Sequence, residues 1–170
     1  MKITTKMGDC GETKLLNGKK VLKNDFVVCA IGEIDELNSF LGWTKAGVNQ
    51  KDVFEVSAFD YLEKFQDALY GIMGNTGTAA RDFEYLEGIL EKYEKFTGSL
   101  KGFKRPGDGE FSGRLHVARS VCRRAERAFL GARGDFEKNG WSEKNLGISL
   151  KYLNRLSDAL FLMAIFHEKG

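Results

Sequence analysis

Apolar residues recur at steps of three and four along most of the chain, the spacing of helices with one buried face. Val28, Ile31, Ile34 and Leu41 share such a stripe, Asn38 falls on it, and Asp25 has the side chain of an N-cap, so the spacing predicts a first helix from Asp25 to about Ala46. Val53, Val56, Phe59, Leu62, Leu69 and Ile72 predict a second of roughly six turns, starting near Lys51 and stopping in the glycines of GNTG. Phe83, Leu86, Ile89, Leu90 and Tyr93 mark a third over Arg81 to Phe96, and Leu115, Ala118, Cys122, Ala125 and Phe129 a fourth from about Ser112 to Ala132. A fifth holds Ile148, Leu150, Leu153, Leu156, Leu160 and Met163. Outside these, Met1 to Asn24 has no helical stripe and reads as an ordered loop, with a period-two hint only at Val21 and Leu22. The pattern predicts one all-α domain over 1–170, an up-and-down five-helix bundle with residues 25–170 as the bundle and 1–24 as an N-terminal loop.

Proline is nearly absent. The one proline, Pro106, sits in the run TGSLKGFKRPGDGEFSG, which is too long for a simple turn, and long connectors in compact domains are often functional. With 170 residues the chain is long enough to bury a core without staples. A net charge of +2, from 26 basic and 24 acidic residues, gives no global case for nucleic acid or a membrane surface as partner. Three cysteines without a C-x-x-C pair read as free thiols in a reducing compartment. With no apolar run of membrane-spanning length and no leader pattern at the start, the expected location is the cytoplasm.

Two polar constellations stand out. In the fourth helix Arg119, Arg123, Glu126 and Arg127 form a stripe beside the apolar one, so these charges border the core. A solvated basic face would produce the same spacing. Short polar residues on other helices offer them partners, Asp35 and Asn38 on the first, Asn154 and Asp158 on the fifth. In the loop TTKMGDCGETKLL, Gly8 and Gly11 allow backbone N–H groups to converge as an anion nest, while Thr5, Lys6, Thr13 and Lys14 supply donors suited to phosphate. A plain turn would also place glycines and threonines this way. Lys23 precedes the first helix and adds one more cation.

Taken in order, T-x-x-G-D-x-G-x-T (Thr5 to Thr13), V-x-K-x-D (Val21 to Asp25), G-x-I-D-E-L-N-S (Gly32 to Ser39), F-x-x-P-G (Phe103 to Gly107), L-H-x-A-R-x-V-C-R-R-A-E-R (Leu115 to Arg127) and L-K-Y-L-N-R-L-S-D (Leu150 to Asp158) resemble the blocks of PduO-type ATP:cob(I)alamin adenosyltransferases. The resemblance spans nearly the whole chain. It implies a ferritin-like homotrimer with ATP at the subunit seam, and a reaction in which cob(I)alamin attacks the 5′ carbon of ATP and expels triphosphate. It makes 1–24 the ATP-binding loop. Thr5, Lys6, Gly8, Asp9, Gly11, Thr13, Lys14 and Lys23 fall around the triphosphate, and Arg123, Glu126, Arg127 and Asn154 complete the nucleotide site. The resemblance pairs Asp35 with Arg119, places Phe103 under the corrin to exclude an axial ligand, and implies Mg²⁺ with the ATP. The implied partners are a cobalt reductase and an adenosylcobalamin-dependent enzyme.

The implied chemistry needs no protein nucleophile or base, and His116 and His167 read as structural. The sequence departs from the family pattern at Lys6, where arginine is common, at Pro106-Gly107-Asp108-Gly109, at Lys104 and Arg105, and in a long connector, GARGDFEKNGWSEKNLGIS, between the last two helices. Two rivals stay open: a nucleotide-binding bundle acting as sensor or partner module without corrinoid chemistry, and a helical RNA-binding protein using RSVCRRAER as a basic face.

Overall fold

The computed structural model describes residues 4, 6, 8–49, 52–98, 102 and 104–168, the side chains of Val53 and Phe54 excepted. A short antiparallel hairpin, β1 (Glu12–Lys14) and β2 (Lys20–Leu22), precedes helices α1 (Phe26–Ala46), α2 (Val53–Met73), α3 (Ala79–Thr97), α4 (Glu110–Gly131), α5 (Arg133–Lys138) and α6 (Glu143–Glu168). The expectation of five helices therefore needs correcting. The five long helices are present, and a sixth of one and a half turns lies inside the last connector, too short for an apolar period to reveal. The N-terminal loop likewise contains a hairpin, registered Thr13 to Val21 and Lys14 to Lys20.

Asp25 caps α1 as its residue type requires, accepting a hydrogen bond from Val27 N–H at 2.9 Å. In the bundle α4 packs between α1 and α6, α2 covers α1, and α3 covers α6. Ile34, Leu37, Leu41, Leu62, Phe65, Leu86, Leu115, Phe129, Leu153, Leu156 and Leu160 form its dry interior. The Cys122 Sγ–H donates to the Leu153 carbonyl at 3.2 Å, tying α4 to α6 at their closest faces. Phe129, Phe136 and Trp141 stack at one end of the bundle, Phe136 lying 4.5 Å from each neighbour by ring centroid, and so bind α5 to α4. Among the described residues no helix is long and apolar enough to cross a membrane.

Candidate functional site

The polar residues singled out by the sequence collect in two places. The first is the N-terminal hairpin and the turns before it. Gly11, at φ +80°, lets the chain reverse so that the Lys23 N–H donates to the Gly11 carbonyl at 2.8 Å. Gly8 then lies under Lys23, since a β-carbon on Gly8 would stand 2.9 Å from the Lys23 Nζ. Thr13 and Lys14 follow on β1, half-buried and exposed respectively, so Gly8, Gly11, Thr13, Lys14 and Lys23 share one small structure. Lys6, exposed at φ +59°, and the exposed Asp9 belong to the same turn. The N–H groups of Asp9 and Gly11 turn back onto the carbonyls of Lys6 and Gly8 at 3.3 and 3.2 Å, so the glycines serve consecutive tight turns and cationic side chains supply the positive field. Thr5 lies outside the described residues.

A cavity of about 470 Å³ opens between this hairpin and the bundle, lined by Thr13, Lys14, Leu15, Val28, Met73 and Asn139 among others.

The second place is a cleft of about 460 Å³ between α4 and α6, roofed by the connector before α4. Arg119 and Arg123 face it with Lys104, His116, Asp158 and Phe161. The Arg119 guanidinium carbon lies 5.9 Å from the Phe161 ring centroid, its Nη2 donates to Ser120 Oγ at 3.4 Å, and its Nε is buried without a hydrogen-bond partner among the described residues. Arg123 is exposed at the mouth. Among the described residues the cleft sets the cations of Lys104, Arg119 and Arg123 against the carboxylate of Asp158, a charge balance suited to an anion.

Among the described residues no ion pair joins Asp35 to Arg119 within one protomer. Asp35 is exposed on α1, and the arginines that reach α1 include Arg114, whose Nη1 donates to the Trp43 carbonyl at 2.9 Å, and Arg124, with Nε donating to Glu33 at 2.5 Å and Nη2 donating to Glu36. The reason is helical phase. Five residues turn a helix through about 500°, so Arg119 and Arg124 diverge by about 140°, one toward α6 and the other toward α1. Glu126 is half-buried on α4, Arg127 is exposed there and Asn154 is exposed on α6, and none of the three lines either cavity. The hairpin group and the α4 group also share no lining residue. In one protomer the hairpin group and Arg123 thus lie in separate places.

Sequence reasoning missed Phe161 and Lys104 in the cleft and the partner of His116. His116 is buried and its Nε2 is 2.9 Å from Glu168 Oε1 at the end of α6. Phe161 was findable, for it stands three residues after Asp158 and seven after Asn154 on one helical face. Phe103 lies outside the described residues. Phe111, its nearest aromatic substitute, is buried, with a T-shaped ring contact to His167 at 4.9 Å.

Residues 3–167 match the family described as Cobalamin adenosyltransferase. This chain belongs to the cobalamin adenosyltransferase family. It is similar to the cobalamin adenosyltransferase of Cupriavidus metallidurans, 34% identical over 168 residues that cover 96% of this chain and 86% of that one. The corrinoid adenosyltransferase of Bacillus subtilis is also 34% identical, with 96% and 85% covered. Among solved structures, a phenylalanine-to-histidine variant of the PduO-type ATP:corrinoid adenosyltransferase of Lactobacillus reuteri, complexed with cobalamin and ATP, superposes with a TM-score of 0.80 at 30% identity, covering 99% of this chain and 91% of that one.

Proposed function

We propose that this cobalamin adenosyltransferase moves the 5′-deoxyadenosyl group of ATP to the cobalt of cob(I)alamin, giving adenosylcobalamin and triphosphate. The observation that carries the reading is the likeness, over 99% of the chain, to a structure complexed with cobalamin and ATP. The cobalt lone pair forms the Co–C5′ bond as the C5′–O5′ bond breaks, and the released electron pair leaves with the triphosphate. No proton moves in that step, so the protein's part is orientation and charge stabilisation.

The chain acts as one domain, with 1–24 as the ATP-binding loop and 25–170 as an up-and-down bundle. Thr5, Lys6, Gly8, Asp9, Gly11, Thr13, Lys14 and Lys23 hold the triphosphate, and Arg123, Glu126, Arg127 and Asn154 complete the site. Because these halves lie apart in one protomer, the hairpin of one copy meets α4 of the next in a cyclic homotrimer, where Asp35 pairs with Arg119 across the seam. Mg²⁺ is ordinarily held by one or two carboxylates plus phosphate oxygens, and Glu126, one residue before Arg127, offers such a carboxylate. There Mg²⁺ would neutralise charge on the departing triphosphate. Phe103, in the connector that roofs the cleft, supplies the apolar surface under the corrin. The enzyme works in the cytoplasm, fed by a cobalt reductase and drained by an adenosylcobalamin-dependent enzyme.

The test is to incubate the protein with ATP, Mg²⁺ and chemically reduced cobalamin and to follow the visible spectrum. Conversion to the alkylcobalamin spectrum is expected. ATP binding without it would leave a nucleotide-binding module and defeat the reading.

A further inference from the structure

The hairpin that carries Thr13 and Lys14 has only three residues in each strand, and an isolated two-stranded hairpin is marginal in water. Its support comes from the other end of the chain. At the C-terminus of α5 the Asn139 N–H closes onto the Asp135 and Phe136 carbonyls, and Asn139 Nδ2 donates to the Asp135 carbonyl at 2.8 Å. The terminal carbonyls of a helix have no partner within it. Here the tip of the hairpin supplies donors. Asn17 Nδ2 donates to the Asn139 carbonyl at 2.9 Å, and Lys19 Nζ donates to the Lys138 carbonyl at 3.5 Å, a cation where the helix dipole favours one. Asn17 Oδ1 also accepts from the Lys19 N–H at 3.0 Å, so the side chain that docks the tip also shapes it. The acceptor is itself fixed, since Asn139 is buried and α5 is held through Phe136 and Trp141. At its other end the hairpin runs directly into the capped start of α1, with Asp25 N–H donating to the Leu22 carbonyl at 3.0 Å. Thr13 and Lys14 are thus suspended between two anchors.

We propose that Asn17 is a positioning residue for ATP: by capping α5 it holds the hairpin in the orientation that presents Thr13 and Lys14 to the triphosphate. The inference rests on the reading of the hairpin as the triphosphate site. An undocked hairpin does not present that site, so apparent ATP affinity scales with the docked fraction.

The experiment uses the full chain with Asn17→Ala and Asn17→Ser. Both lose the amide donor, and serine keeps a short oxygen for the Lys19 N–H, which separates docking from turn formation. Amide exchange without ATP should quicken in the hairpin of both variants and stay unchanged in the long helices. With Mg·ATP and cob(I)alamin, KM for ATP should rise by up to about fivefold, the limit set by a fivefold smaller docking equilibrium constant on loss of one net hydrogen bond, with kcat and KM for cobalamin unchanged. A merely structural role would lower the active fraction and leave KM for ATP alone. Unchanged exchange overturns the docking claim. Faster exchange with unchanged KM for ATP overturns the positioning claim, and Lys14→Ala run in parallel separates the causes. If Lys14→Ala weakens ATP, only the positioning claim has failed; if it does not, the reading of the hairpin as the triphosphate site has failed with it.

Discussion

The ammonium of Lys23 lies over Gly8, close enough that a β-carbon there would stand 2.9 Å from Nζ and 3.1 Å from Cε. The two residues come together because the Lys23 backbone is bonded to Gly11. Gly8→Ala would displace only the far end of a flexible side chain, so the fold should tolerate it. ATP affinity should fall by up to about tenfold, equivalent to 1.4 kcal/mol, with Tm unchanged. Calorimetric titration with Mg·ATP beside a thermal melt checks both halves of this expectation.

Asp35 and Arg119 offer a test of assembly. Because they do not meet inside one protomer, Asp35→Asn should leave secondary structure intact and act on the assembled enzyme. If they pair across a seam and are buried there, turnover should drop steeply, with a penalty of about 3 kcal/mol. A double-mutant cycle with Arg119→Ala should be strongly non-additive, and sedimentation should show weakened trimers. Additive effects in that cycle would remove the pair from the account.

Two adjacent arginines should behave differently. Arg123→Lys keeps the charge at the cleft and loses the planar fork, so kcat/KM should fall by at least about tenfold. Arg124→Lys alters an exposed pairing with Glu33 and Glu36, and should change kcat/KM by less than about twofold. Steady-state kinetics on the two variants decides whether helical phase has assigned their tasks correctly.

Phe103 and Phe111 should also part company. Phe103→Ala should keep ATP affinity and assembly, yet turn over slowly and bind cob(II)alamin mainly in a five-coordinate form by electron paramagnetic resonance. Phe111→Ala removes a buried ring and should cost about 3–5 kcal/mol of stability. An undiminished four-coordinate signal in Phe103→Ala would contradict the assigned role.

His167 gives the protein an acid-sensitive element. Burial holds its pKa below the ordinary 6.5, against a smaller opposing effect of Asp52, and its Nε2 is buried without a partner among the described residues. The unfolded chain therefore takes up the proton more readily than the folded one. The contribution is fully present above pH 6.5 and is lost as pH falls from there through the lower folded value. Urea melts at pH 7.5 and 5.5 should show a stability loss that shrinks in His167→Phe.

The five long helices were legible because each carries an apolar stripe over several turns, and the Asp25 cap because its chemistry is local. α5 was not, since six residues carry less than two turns of period, and its burial rests on Phe136 meeting Phe129 and Trp141 in space. The cations of the candidate site were legible by type and order. Their surroundings were not: spacing alone separates Arg119 from Arg124 by phase, and the placement of α4 between α1 and α6 shows which neighbour each one faces. The hairpin escaped because its short strands draw their support from Asn139, far along the chain.

The bond from Cys122 to the Leu153 carbonyl also divides the three thiols by reactivity. Burial pushes the Cys122 thiol well above its ordinary range, so it stays protonated and shielded at neutral pH, whereas Cys10 and Cys29 are exposed. Cys10 stands between Gly8 and Gly11, beside the cations assigned to the triphosphate, and Cys29 is on the first turn of α1. The native fold therefore carries its own chemical footprinting sites, two thiols open to alkylation at the hairpin end of the molecule and an internal one that reacts only when α4 and α6 separate.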